Sequence, residues 1–360
     1  VDLIFADVEW LEARRDRIEG IFITHAHEDH VGAVGHLWHR LRAPIYARRF
    51  TAHHAARKLS EHGGDEKAIN VVEPWPDTRK YGPFSVGFAP ISHSIPESSS
   101  LVIDTPAGRI VHTGDFKLDK TPLVGEPWDP DLWAGIAAGG VKALVCDSTN
   151  VFSPHAGRSE ATVGPEITKL VSDAKGMVIA TTFASNVARV KTLAEAGVAA
   201  GRSVCLLGRA MRRMVEASVE TGVLTDFPTV VSPEEAGDIP RENLMLLVTG
   251  SQGERRAASA GLSRGKYLGL EVKEGDLFLF SSKTIPGNEK SVGELLNKLA
   301  EQRVEVITSD DALVHTSGHP RQDELRQFYG WVRPKLLVPM HGEARHLMKQ
   351  TEFAAECGIA

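Results

Sequence analysis

Thr24-His25-Ala26-His27-Glu28-Asp29-His30 places three imidazoles and the Asp29 carboxylate within six residues. Neutral imidazole nitrogen and carboxylate oxygen are the donors that borderline divalent cations such as zinc select. The loop holds too many of them for one tetrahedral site with an open position, so two adjacent cations sharing the loop is the chemistry it suits. A solvated, histidine-rich turn is the bland alternative, because short motifs match by chance. Asp115, in Gly114-Asp115, belongs with this loop. An aspartate on a turn is commonly a turn former, but its two oxygens can also bridge two cations about 3.5–4 Å apart. His93 in Ile91-Ser92-His93-Ser94, Asp147, His319 in His315-Thr316-Ser317-Gly318-His319 and His341 in His341-Gly342-Glu343 extend the same donor chemistry along the chain.

Positioning these groups requires strands that end where they stand. Ile21-Phe22-Ile23 reads as a short buried strand and Val31 to Trp38 as a glycine-rich helix start, so the histidine loop sits in a strand-to-helix turn. Pro44–Ala47 reads as a strand and 51–62 as a helix. His53 and His54 are read there as exposed helix residues rather than ligands. Phe84–Pro90 alternates like a strand and delivers His93, and 99–116 reads as a hairpin turning at Pro106-Ala107-Gly108 and running into Asp115. A further apolar strand, 141–147, ends in Asp147. From about residue 160 strands and helices alternate as in a parallel, helix-covered sheet. Three loops there follow strands and collect small polar groups: Phe183-Ala184-Ser185-Asn186 with Arg189 one turn later, Thr249 to Glu254 including Ser251, and Ser281 to Asn288. Hydroxyls, amides and free backbone N–H groups at such places suit phosphate, although each loop could simply cap a helix. The closing segment, strand 304–308, a helix and strand 335–340, brings in His319 and His341.

Composition bounds the function classes. The 360 residues favour two domains, or one with a large insertion. A net charge of -6 carries no global basic signature, so any nucleic-acid contact would need a local cationic groove. Three dispersed cysteines, Cys146, Cys205 and Cys357, form no C-x-x-C and suggest neither a disulfide framework nor a thiolate metal site, which fits a reducing cytoplasm. No apolar run approaches a membrane span and no signal-peptide pattern opens the chain. Val1-Asp2-Leu3-Ile4-Phe5 resembles the middle of a strand-bearing segment, and the expectation is a fragment of a longer protein.

Taken together, the H-x-H-x-D-H loop, His93, Asp115, Asp147, His319 in H-T-S-G-H and His341 in P-M-H-G-E resemble the ordered motifs of the metallo-β-lactamase superfamily and, within it, the β-CASP nucleases. The phrases S-Q-G-E, S-S-K-T-I-P-G-N-E and H-T-S-G-H resemble the bacterial ribonuclease J family. The resemblance implies an α/β fold, an αββα metallo-β-lactamase sandwich of residues 1–159 and 311–360 interrupted by a parallel-sheet β-CASP insert, 160–310. It also implies N-terminal strands and a C-terminal domain missing from this stretch. Carried over by position, His25, His27 and His93 hold one Zn(2+), Asp29, His30 and His341 the other, and Asp115 bridges them. Mn(2+) is compatible with much of the same set. Asp29, His319 and Asp147 carry catalytic roles, with Asp147 orienting a metal-site histidine and His319 near the scissile phosphate, while His315, Ser317 and Gly318 help hold a phosphate.

The function so implied is a metal-dependent ribonuclease of RNA maturation and mRNA decay, acting as 5′-to-3′ exonuclease and endonuclease through a metal-activated hydroxide. The expected partner is single-stranded RNA, preferably 5′-monophosphorylated, gripped by Ser185, Asn186, Arg189 and Ser251 as the insert closes over the core. A homodimer or tetramer is expected of the full-length protein, and no membrane. The competing readings are a small-ester or lactam hydrolase, for which a large inserted lid has no use, a DNA-directed β-CASP nuclease, and a catalytically decayed RNA-binding scaffold.

Overall fold

A computed structural model describes residues 4–360. Of the strand expected at the start of the chain, residues 1–3 lie outside the described residues, and Ile4 and Phe5 are not in a strand. The chain divides into two compact units, Val1–Gly157 with Ser317–Ala360, and Arg158–Thr316.

In the first unit, β1 (Ile21–Phe22), β2 (Ile45–Ala47) and β3 (Ile69–Val71) form a parallel three-stranded sheet. Next come β4 (Thr78–Tyr81), β5 (Phe84–Pro90), β6 (Ser99–Thr105), β7 (Gly108–His112) and β8 (Ala143–Asp147). Period-two alternation decides which way each residue points. Ile23, Ile45 and Ala47 pack with Val31, Val34, Ala52, Ala55 and Leu59 of the helices that cover this sheet. The intervening Phe22 and Tyr46 turn the other way and meet Tyr81, Val86, Phe88 and Leu101 of the second sheet. On β5 the alternate residue Ala89 joins Val102, Val111, Leu144, Trp133, Phe328 and Phe353 beneath the helices Pro130–Ala137, Gln322–Val332 and Ala344–Glu356. The result is helices, sheet, sheet, helices, the four layers of the αββα sandwich.

The second unit is a parallel five-stranded sheet of β9 (Val178–Thr181), β10 (Ser203–Leu207), β11 (Leu244–Val248), β12 (Leu277–Phe280) and β13 (Glu305–Ile307), in the order β10-β11-β9-β12-β13. Every residue of β9, β11 and β12 is buried. Continuous apolar runs such as Leu244-Met245-Leu246-Leu247-Val248 are what a sheet covered on both faces requires. The return segment supplies β14 (Leu336–Met340), which completes the first unit's larger sheet, β14-β8-β7-β6-β5-β4.

Strand direction places the chemistry. β14, β8 and β7 are mutually parallel, and β6 runs against both β7 and β5. β5, β7, β8 and β14 therefore all finish at one edge, and the residues just past or at their ends are His93, Asp115, Asp147 and His341. β1 delivers the histidine loop to the same place, because the Ser99 amide at the start of β6 donates to the Thr24 carbonyl at 3.0 Å.

One expectation fails on the helix Arg49–Glu61. His54 is not exposed: it is 4 % accessible and its ring lies 4.7 Å from Phe50. Position 54 shares the inward face of the helix with Phe50, four residues earlier. Burial lowers the His54 pKa to about 4, and neither it nor His53 joins a cluster of metal-type ligands among the described residues.

Candidate metal centre

Three groups of ligand atoms, each group within 4.8 Å of one another, meet at Asp115: His25, His27, His93 and Asp115; Asp29, His30, Asp115 and His341; and Asp115, Asp147, His319 and His341. Asp115 Oδ2 is the hub. It lies 3.2 Å from His30 Nε2, 3.2 Å from His341 Nε2, 3.8 Å from His25 Nε2 and 4.0 Å from His93 Nε2. His93 Nε2 and His27 Nδ1 are 3.0 Å apart, and His341 Nε2 is 3.0 Å from Asp29 Oδ2. Ligands held about 2.05 Å from a tetrahedral ion sit roughly 3.3 Å from each other, so these spacings are those of donor shells.

Local structure sets each donor. Gly114 turns the chain after β7 with φ 59°, and a Cβ there would meet Thr24 Cβ at 3.0 Å and the Ser99 carbonyl oxygen at 3.1 Å. Asp115 thus reaches the hub because its predecessor has no side chain. His93 donates from Nδ1 to the Gly318 carbonyl at 2.7 Å, which leaves Nε2 facing inward. A Cβ on Gly318 would lie 2.6 Å from Ser94 Oγ and 2.9 Å from His93 Cε1, so that carbonyl can come close only because residue 318 is glycine. His341 leaves β14 in the left-handed region, φ 58°. Such conformations are costly for a non-glycine residue and gather at functional sites.

Electrostatics tests whether cations fit. Burial, reinforced by neighbouring imidazoles, holds His25 and His93 well below the usual histidine range. Burial takes His27 to about 4 despite the pull of Asp29 and Asp115. These three rings are neutral at pH 7, the form that ligates metal. Burial would also lower His30 and His341, but hydrogen bonds and charge from Asp115 and Asp29 raise them to about 10 and about 9. The carboxylates therefore draw positive charge into the pocket. His25 Nε2 and Asp115 Oδ1 are buried without a hydrogen-bond partner, a costly arrangement unless a ligand takes them up. The donor set fits two divalent cations.

Beside this centre, His319 Nδ1 donates to Asp147 Oδ2 at 2.7 Å. The His319 ring lies 5.1 Å from His93 and 5.4 Å from His341. Burial opposes charge on His319, yet the Asp147 carboxylate raises its pKa, while His319 holds the fully buried Asp147 down. Ser317 Oγ accepts from Asn150 Nδ2 at 2.8 Å and from the His319 amide at 3.2 Å, so Ser317 and Gly318 frame this histidine.

The loops expected to grip phosphate divide differently. β9, β11 and β12 are parallel, so their following loops do share one edge of the second unit. Arg189 is the correction. It is fully buried, forks onto Glu160 at 2.6 and 2.9 Å, and gives its remaining guanidinium nitrogen to the Ser281 and Val314 carbonyls and to Ser281 Oγ. A guanidinium so committed holds the unit together and does not reach a ligand. Asn186 accepts from the Arg189 amide at 3.0 Å, the geometry of a helix N-cap. Ser251 is buried, Ser185 and His315 are half-buried. Sequence reasoning passed over Thr149, whose hydroxyl touches both Asp147 and His341. Its only signal was a hydroxyl two residues after a strand-end aspartate.

A two-sheet sandwich with a double histidine cluster on one carboxylate defines the metallo-β-lactamase class. Residues 2–143 match the profile of the "Metallo-beta-lactamase superfamily", 175–299 that of "Ribonuclease J, beta-CASP domain", and 303–358 that of the "Zn-dependent metallo-hydrolase RNA specificity domain". Over its whole length the chain is 44% identical to a protein named Ribonuclease J from Sinorhizobium meliloti, 42% to one from Corynebacterium glutamicum and 35% to one from Helicobacter pylori. Along its whole length it is thus similar to proteins named Ribonuclease J. It spans 64%, 50% and 52% of those three relatives. A crystal structure of a protein of unknown function from Enterococcus faecalis superimposes with a TM-score of 0.63 at 16% identity, covering 92% of this chain and 76% of that one, which bears on the fold alone.

Proposed function

We propose that the chain is the catalytic part of a ribonuclease that hydrolyses phosphodiesters of single-stranded RNA with two zinc ions. The observation that carries the reading is the hub at Asp115 Oδ2, with His30 and His341 at 3.2 Å and His25 and His93 at 3.8 and 4.0 Å. Bound divalent cations would supply charge neutralisation at the phosphodiester and a water acidified toward neutrality. Imidazole and carboxylate donors favour zinc, and manganese accepts much of the same set.

The protein's own residues supply the rest. His25, His27 and His93 form one shell, Asp29, His30 and His341 the other, and Asp115 is shared. His319 keeps one proton on Nδ1 through Asp147 and presents Nε2 as a donor to the charge that builds on the phosphoryl group or the departing 3′ oxygen. Ser317 and Gly318 hold that ring in place, and the half-buried Ser185 is a polar group that would meet an RNA backbone or a 5′ monophosphate. The three cysteines form no disulfide, in keeping with a reducing cytoplasm, and no helix among the described residues is long and apolar enough to cross a membrane.

The test is incubation with 5′-monophosphorylated and 5′-triphosphorylated RNA and with the matching DNA, each with and without chelator. Chelator-sensitive cleavage of RNA, faster on the monophosphate, is expected. Cleavage of DNA in preference to RNA, or cleavage indifferent to chelator, overturns the reading.

A further inference from the structure

Asp147 has two oxygens, and the structure uses them differently. Oδ2 takes the Nδ1 proton of His319 at 2.7 Å. Oδ1 accepts from the Thr149 amide at 2.9 Å and from the Thr149 hydroxyl at 2.7 Å. The same hydroxyl lies 2.8 Å from His341 Nδ1, with the His341 carbonyl farther off at 3.3 Å. A hydroxyl has one hydrogen to give and can accept as well. An ionised carboxylate can only accept, so the hydrogen goes to Asp147, and the hydroxyl oxygen must take its hydrogen bond from His341. The direction of the chain is thereby fixed: His341 Nδ1–H to Thr149 Oγ1, and Thr149 O–H to Asp147 Oδ1.

We infer that Thr149 is the positioning residue that locks His341 in the Nδ1–H tautomer and aims its Nε2 at Asp29 and Asp115, so that one buried carboxylate orients His319 directly and His341 through a threonine. The strands make this possible. β14 pairs with β8 in register Met340↔Asp147, which carries His341 past the end of one strand just where Thr149 follows the end of the other. The Ser148 amide donates to the Met340 carbonyl at 2.9 Å, holding the two chain ends together. His341 itself stands in a left-handed conformation, so its ring has no regular strand geometry to orient it and depends on what grips Nδ1. Partners that grip the far nitrogen of a ligating histidine commonly account for about 10–100-fold in metal affinity.

The inference rests on the two-cation reading but not on RNA as the substrate, so its test reads metal binding. Zn(2+) is titrated into the 360-residue chain against a chromophoric chelator, for the wild type, Thr149→Val and Thr149→Ser. Two equivalents are expected for the wild type. In Thr149→Val one equivalent weakens by about 10–100-fold and the other, held by His25, His27 and His93, is unchanged. Thr149→Ser, which keeps the hydroxyl, restores the weakened equivalent. Unchanged binding of both equivalents by Thr149→Val overturns the inference, as does a serine variant as weak as the valine one. Fewer than two equivalents in the wild type overturns the two-cation reading and the relay with it. RNA left uncut by a wild type that binds two equivalents overturns the proposed substrate alone.

Discussion

Asp115 is 2 % accessible, and four histidine nitrogens surround one of its oxygens. Removing it leaves those donors without the group that joins the two clusters. Asp115→Ala or His27→Ala should lower RNA cleavage by at least about 10³-fold, with bound metal below two ions per chain and RNA affinity changed little, as read by single-turnover cleavage, metal analysis and filter binding. His319 stands apart from this. Its Nδ1 is taken by Asp147 and it enters neither of the two clusters assigned to the cations, so His319→Ala should keep two ions while slowing the chemical step by about 10²–10⁴-fold. Loss of an ion in that variant would make His319 a ligand instead. Gly318 gives a steric counterpart: Gly318→Ala puts a methyl group where Ser94 Oγ and His93 Cε1 already lie, and weaker binding of the ion that His93 holds is expected in a chelator competition.

At the scale of elements, strands ending at one edge put the donors together, and helices ending on polar loops do different work from what their sequence suggests. Arg189 follows a Ser-Asn loop by one helical turn, a spacing that suits phosphate as well as it suits a buried ion pair. Only burial separates the two, and burial depends on Glu160, Ser281 and Val314 arriving from 29, 92 and 125 residues away. Arg189→Met should destabilise the second unit by about 3–5 kcal/mol because the Glu160 carboxylate loses its guanidinium, whereas Arg189→Met with Glu160→Leu should recover most of the loss; urea unfolding of the two variants compares them. Many strands of both units were readable because their residues alternate or run continuously apolar, as in Phe84–Pro90 of the first unit and Leu244–Val248 of the second. β3 and β4 have no apolar run to stand out: Asn70 interrupts the first, and Thr78-Arg79-Lys80 leaves the second mostly polar and exposed. His54 was misread because an inward histidine and an outward one look alike until Phe50 is seen beneath it. Thr149 was invisible for a further reason: its role exists only in the pairing of β8 with β14, between residues 192 positions apart.

For the molecule as a whole, every cluster of metal-type ligands among the described residues lies in the unit formed by Val1–Gly157 and Ser317–Ala360. Ligands that bind only the folded form stabilise it by mass action, about 2.7 kcal/mol for each site at a free concentration of 100 times Kd. Stripping the metal should therefore lower the unfolding transition of that unit and leave that of Arg158–Thr316 where it was, which calorimetry with and without chelator resolves. Equal shifts in both would show that the cations support more than their own unit. The second cluster draws Asp29 and His341 together across 312 positions of sequence. Ribosomes add about 5–20 residues per second, so roughly 15–60 s of synthesis separate the first of these donors from the last. During that interval the nascent chain carries every donor of these two shells up to Asp115 but lacks His341, so the second shell stays open until the return segment is made.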